Sequence, residues 1–215
     1  MDWSVSFGLS KAVQVMNYEI HYQSLLAHIR ELVPISESEE IIIRDSYKPS
    51  HLKKKEFLLQ KGHSSHFMRY VAEGCLKAYT VNEEGAEHIL QFGINGWWVN
   101  DLYAYLTETP ATFHIQAITN SVVLQIHRDR LNQLYDEVPM MDRFYRIKTQ
   151  NGYVALQERT IHSMSKVAEH RYLEFIARYR EMEQQIPQYM IASYLGITPE
   201  HLSAIRKKIS EESRS

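Results

Sequence analysis

The sequence predicts an α+β chain: a block of short β-strands folded as a sandwich, jelly roll or barrel, preceded by short helices and followed by a helical run. Three observations predict this. Glycines at 62, 74, 85 and 96 are spaced by 12, 11 and 11 residues, each between short runs of strand formers, a rhythm of hairpins rather than of βαβ units. From about residue 130 the pattern turns helical, and after Pro139 the next proline is Pro187. Near the C-terminus, Gly196 separates two short amphipathic segments.

The elements follow in order. Residues 1–16 carry no clear period and read as an N-terminal extension. Ile20, Leu25, Leu26, Ile29 and Leu32 form one apolar face of a helix over Tyr18–Val33, ended by Pro34. Ser36 and Glu39 make a capping box for a brief helix through Ile43. The runs KKKEFLLQ, FMRYVAE, CLKAYTV and EHILQFGI are strands, with turns at Asn82-Glu83-Glu84-Gly85 and Asn95-Gly96. Two more strands, Thr112–Ile118 and Val122–His127, flank Asn120-Ser121. Pro139 suits the first turn of a long helix. There Met140, Phe144, Ile147, Asn151, Val154, Glu158 and Ile161 repeat with heptad spacing. Such a seam packs on its own β-domain or contacts a second subunit, and a register held for three heptads favours the second. Ser165 is expected to cap the next helix, which buries Val167, Tyr172, Phe175, Ile176 and Tyr179.

Residues 186–209 carry the chemistry. Gln188–Leu195 forms a short helix, Gly196 stands where a helix C-cap needs positive φ, and Thr198-Pro199-Glu200 starts a second helix. That helix buries Leu202 and Ile205 and leaves Glu200, His201, Ser203, Ala204, Arg206, Lys207 and Lys208 outside. The arrangement is a helix-turn-helix, whose second helix can enter the major groove while its basic end meets phosphates. The alternative is an αα-hairpin in a bundle.

Composition narrows the classes. With 24 Lys+Arg against 26 Asp+Glu the net charge is −2, so nucleic-acid binding needs a local patch rather than bulk charge. The single cysteine, Cys75, excludes an internal disulfide, a CxxC pair and a cysteine-ligated iron–sulfur cluster. Without a signal peptide or an apolar run long enough to span a bilayer, the expected place is the cytoplasm, away from the membrane. A cupin-type metalloenzyme is the competing reading, but His63-x-x-His66 has the wrong parity to put two rings on one strand face. No nucleophile elbow, Walker loop or dinucleotide fingerprint appears, so the chain reads as a non-enzyme without a metal or cofactor.

The order of elements, with the runs WWVNDL, RYLEFIARY and IPQYMIASYLGITPEHLSAIRKK, resembles the Crp/Fnr family of bacterial transcription regulators, in the branch common in Bacteroidetes. The resemblance covers roughly residues 20–210. It implies a jelly-roll-like β-roll sensor over 17–138, a dimerisation helix over 139–164 and a DNA-binding domain over 165–215. It also implies a homodimer on double-stranded DNA, with RNA polymerase as a further partner. The DNA contacts it implies are Gln188, Thr198, Pro199, Glu200, His201, Ser203, Ala204, Arg206, Lys207 and Lys208, with Glu200 as the base-reading carboxylate.

The family's cyclic-nucleotide pocket maps onto Asn100, Asp101, Ala111 and Thr112 from the roll and Leu156 and Gln157 from the long helix. Members that bind cyclic AMP have a Gly-Glu pair and, ten residues on, an Arg-Ser or Arg-Thr pair. Here Ala111 stands in place of the arginine, so no response to cyclic AMP is expected. A degenerate regulator acting through protein contacts alone is the second non-enzyme reading.

Overall fold

The computed structural model describes residues 18–179 and 184–212. The predicted extension 1–16 and the last three residues lie outside the described residues.

A helix over 18–30 (α1) comes first, followed by α2 (Glu37–Ser46). Leu25, Leu26 and Ile29 are buried as the period requires, but Ile20 is exposed. The capping box forms: the Ser36 side chain accepts from the Glu39 N–H, and Glu39 reaches back to the Ser36 N–H at 2.7 Å.

Eight strands follow among the described residues: β1 (Lys48–Leu52), β2 (Phe57–Leu59), β3 (Phe67–Glu73), β4 (Cys75–Val81), β5 (Glu87–Ile94), β6 (Trp97–Trp98), β7 (His114–Ala117) and β8 (Ser121–His127). They form two four-stranded sheets, β1-β8-β3-β6 and β2-β7-β4-β5, whose pairs are antiparallel. Strand β1 escapes the sequence reading because its KPSHL is polar and contains Pro49. It is tolerated because β1 is an edge strand paired only with β8. The run KKKEFLLQ supplies only three strand residues, and Ser121 begins β8 instead of completing a turn. Gly74 is required between β3 and β4: at φ +92, a Cβ there would lie 2.5 Å from the Asn120 carbonyl oxygen.

Three cores result. Between the sheets lie Leu52, Leu59, Val71, Leu76, Ile115 and Val123. The outer face of the first sheet, through Met68, Tyr70, Leu124 and Ile126, packs on α1, α2, α4 (Arg128–Glu137) and the start of α5 (Met140–Ser165). The outer face of the second sheet, through Cys75, Tyr79, Ile89 and Phe92, packs on α6 (Ala168–Arg178), α7 (Gln188–Leu195) and α8 (Pro199–Glu212).

The heptad seam divides. Phe144 is fully buried against its own domain, beside Trp98 at 5.8 Å, so the first third of the seam faces inward. Farther along, Asn151 and Glu158 are exposed, and Val154 and Ile161 are half exposed. Ser165 does not cap α6. It ends α5, its hydroxyl donating to the Ile161 carbonyl at 2.8 Å, and Val167 takes the N-cap without a side-chain bond. Val167 is therefore exposed rather than buried, one residue ahead of the helix whose face it was expected to join.

Candidate functional site

The two helices of the C-terminal unit are set by local chemistry. Gly196 ends α7 at φ +69, and the Ile197 N–H returns to the Ala192 carbonyl at 3.0 Å, closing the last turn. Arg171 on α6 donates to the Leu195 carbonyl at 3.1 Å, placing a cation at the negative end of α7. Thr198 opens α8 by accepting the His201 N–H at 3.2 Å, with Pro199 in the first turn. Leu202 and Ile205 enter the core, while Thr198, Pro199, Glu200, His201, Ser203, Ala204, Arg206, Lys207 and Lys208 share the exposed surface of α8.

Three of these residues have partners that matter for charge. The Glu200 carboxyl is held below the usual range by hydrogen bonds from its own backbone N–H and from the Thr198 hydroxyl, so it stays ionised while folded back on the helix N-terminus. The Lys208 ammonium meets Glu169 at 2.7 Å, which raises its pKa, and Lys207 lies 3.9 Å from Glu211. Gln188 is half buried at the start of α7, and its Oε1 has no partner among the described residues.

The exposed run of α5 carries Tyr153, Val154, Ile161 and Met164, the last 83% exposed. Met140 and Ile147 are partly buried against the first sheet's core.

The pocket residues separate into two places. Asn100, Asp101, Ala111 and Thr112 lie together at one corner of the roll, Asp101 and Ala111 buried and Thr112 exposed. Asp101 is 1% exposed and caps α3 (Leu102–Thr107), with Oδ1 accepting the Ala104 N–H at 3.0 Å. Its Oδ2 accepts the Thr112 N–H at 2.6 Å and the Thr112 hydroxyl at 2.8 Å. The Asn100 Oδ1 accepts the Arg69 N–H at 2.8 Å, and Ala111 is buried. The Thr112 N–H and hydroxyl at this corner are thus taken by a carboxylate of the chain itself. Leu156 and Gln157 do not join this group: both are exposed, and Leu156 instead lines a cavity of about 550 Å³ between β5, α5, α6 and α7.

Cys75 is 2% exposed and burial pushes its thiol up to about 12, which disfavours the thiolate a metal needs. Among the described residues no group of three or more His, Cys, Asp or Glu could hold a metal ion, and no helix is long and apolar enough to cross a membrane.

Residues 49–138 match the family described as cyclic nucleotide-binding domain. The anaerobic regulatory protein of Haemophilus influenzae is 27% identical over 168 residues, 72% of this chain. The match spans 63% of that relative's length. The fumarate and nitrate reduction regulatory protein of Yersinia pestis is 26% identical over 215 aligned residues, covering 91% of this chain and 82% of that one. Among solved structures, FixK2 from Bradyrhizobium japonicum shares the fold at a TM-score of 0.67 and 16% identity, over 78% of this chain and 86% of its own. Residues 49–138 are thus a cyclic nucleotide-binding domain, and the chain is similar over most of its length to Crp/Fnr-type regulatory proteins. In this chain the matched domain is the roll with α4, and the helix-turn-helix lies beyond it.

Sequence reading missed the contacts that join the two. The Ser193 hydroxyl on α7 accepts the Ile89 N–H at 3.1 Å and donates to the Glu87 carbonyl at 2.7 Å. Arg159 on α5 donates to the carbonyls of Leu90 and, at 3.3 Å, Ile89. Both cover the free edge of β5, whose backbone groups would otherwise be unpaired. Nothing in a lone serine 104 residues from its partner signals this.

Proposed function

We propose that the protein is a homodimeric, DNA-binding transcriptional regulator that reads the major groove with α8 and is governed through the roll by an effector other than cyclic AMP. The observation that carries this reading is the exposed α8 surface, polar at its start and basic at its end, on a helix fixed by the Gly196 turn and two buried anchors. Glu200 is the base-reading group, accepting from a cytosine amino group. Arg206, Lys207 and Lys208 meet phosphates, with Gln188, Thr198, Pro199, His201, Ser203 and Ala204 at or near the groove. Val154 and Ile161 supply the partner-facing half of α5, continued by the flanking Tyr153 and Met164. The absence of a cation at Ala111 and the occupied Asp101 corner argue against a cyclic phosphate.

Selection of genomic fragments on the purified protein, followed by a DNA shift assay, tests the reading. Glu200→Ala is expected to lose about 1–3 kcal/mol of discrimination at one base position. Lys207→Ala is expected to weaken all sites alike and to reduce the salt slope by about 0.9. Unchanged discrimination in Glu200→Ala would remove α8 from the groove, and a stable monomer at micromolar concentration would remove the dimer.

A further inference from the structure

A second cavity of the roll, about 350 Å³, meets the Asp101 corner at Arg69 and is lined by Leu52, Leu59, Phe67, Gln60, Gln125 and Arg69, among others. Arg69 is 3% exposed. Strand alternation puts it on the same face of β3 as Val71, which belongs to the core between the sheets. Its Nη1 donates to the Phe67 carbonyl at 3.1 Å, and its Nε has no partner among the described residues. A guanidinium carries five N–H donors, and here one is used.

The nearest countercharge does not answer that demand. Both Asp101 oxygens are spent on Ala104 and Thr112, and no described carboxylate lies within ion-pair distance of Arg69. Burial pushes the guanidinium down to about 10, with the Asp101 charge opposing the fall. A buried cation with open donors is costly unless something supplies the acceptors.

We propose that this cavity binds a small organic monocarboxylate, its carboxylate on Arg69 and its short hydrocarbon chain against Leu52, Leu59 and Phe67. This rests on the reading of the roll as the effector domain. The planar fork of the guanidinium matches a carboxylate. Arg69 is the one permanently charged residue in the lining, so it balances a single negative charge and leaves a phosphate dianion half compensated. The volume stands near the lower end for ligand cavities, which selects a short chain.

Calorimetric titration of the full chain with sodium butyrate, and with inorganic phosphate at equal ionic strength, tests the assignment. Saturable butyrate binding and no phosphate binding are expected. Arg69→Met removes the charge at similar volume and should weaken butyrate about tenfold or more. Ser50→Leu fills the cavity while leaving Arg69 in place, and should abolish binding even if Arg69→Met fails to fold. Absent butyrate binding by the unaltered protein, wild-type affinity in either folded variant, or equal binding of phosphate would overturn the proposal. A DNA shift assay on the same preparations separates the two readings: butyrate binding without DNA binding keeps the site and removes the regulator, and DNA binding without butyrate does the reverse.

Discussion

The two outer faces of the roll are covered in different ways. The first sheet is closed by helices adjacent to it in sequence, α1, α2, α4 and the start of α5, through an apolar core centred on Tyr47, Tyr70 and Phe144. The second sheet is closed by α6 together with the helix-turn-helix, through Phe92, Phe175, Tyr179 and Ile191. There the cover also holds backbone groups of the edge strand, through Ser193 and Arg159. The first face is therefore a structural cap. The second ties the position of α7 and α8 to the roll, through β5.

The largest effects should come from emptying each core in turn. Phe144 and Phe92 are both fully buried, and Phe→Ala at such sites costs about 3–5 kcal/mol. Adjacent tryptophans report the two cores separately: Trp98 lies 5.8 Å from Phe144, while Trp97 lies 5.3 Å from Tyr179. In urea unfolding followed in a Trp3→Phe chain with Trp97→Phe or Trp98→Phe added, Phe92→Ala should lower the Trp97 transition more, and Phe144→Ala the Trp98 transition more. Equal shifts at both probes would mean one cooperative core and erase the distinction between the faces.

This division was only partly legible in the sequence. The strands β3, β4, β5 and β8 were readable because alternation and turn glycines act locally, and the helix-turn-helix because its cap residues do. Strand β1 was hidden by Pro49, which only an edge position permits. The six-residue α3 was hidden because its cap, Asp101, reads equally well as a ligand contact. Of the site, the outward face of α8 follows from periodicity alone. The guanidinium of Arg69 stood in plain view within FMRYVAE, an arginine in the parity of inward-facing Val71, yet its burial depends on β8 and the loop at Asn100. Long-range pairings such as Ser193 with β5 have no sequence period at all.

A smaller effect tests the polar part of the second face. Ser193→Ala leaves the Ile89 N–H and the Glu87 carbonyl without their partner, at a cost of about 1–3 kcal/mol. Hydrogen exchange should quicken at the Ile89 amide and along α7, while the Trp98 transition stays where it was. Unchanged exchange at Ile89 would show that the serine does not hold the edge, and would leave the Arg159 bonds and apolar packing to link roll and helix-turn-helix.

The smallest expected effect is a difference in alkaline sensitivity. Burial raises the pKa of Tyr22, Tyr47, Tyr70, Tyr105, Tyr135 and Tyr145 in or against the first core, and of Tyr79, Tyr179 and the Cys75 thiol in the second. A raised folded pKa means that the unfolded chain releases its protons first. The tyrosine contribution is complete below pH of about 10 and is lost as pH climbs toward the folded value. Both cores should therefore weaken as pH climbs past about 10, the second with the Cys75 thiol contributing as well. The Tyr47 and Tyr145 hydroxyls bond each other at 2.6 Å, so replacing both with Phe removes donor and acceptor together and should be nearly neutral at pH 7. At pH 10 each ionising tyrosine withholds about 0.4 kcal/mol, so the double variant should gain about 0.8 kcal/mol relative to the unaltered chain. Urea midpoints from Trp98 fluorescence at pH 7 and pH 10, at one protein concentration, measure this directly. If the double variant loses stability in parallel with the unaltered chain, the alkaline weakness lies outside the Tyr47–Tyr145 pair.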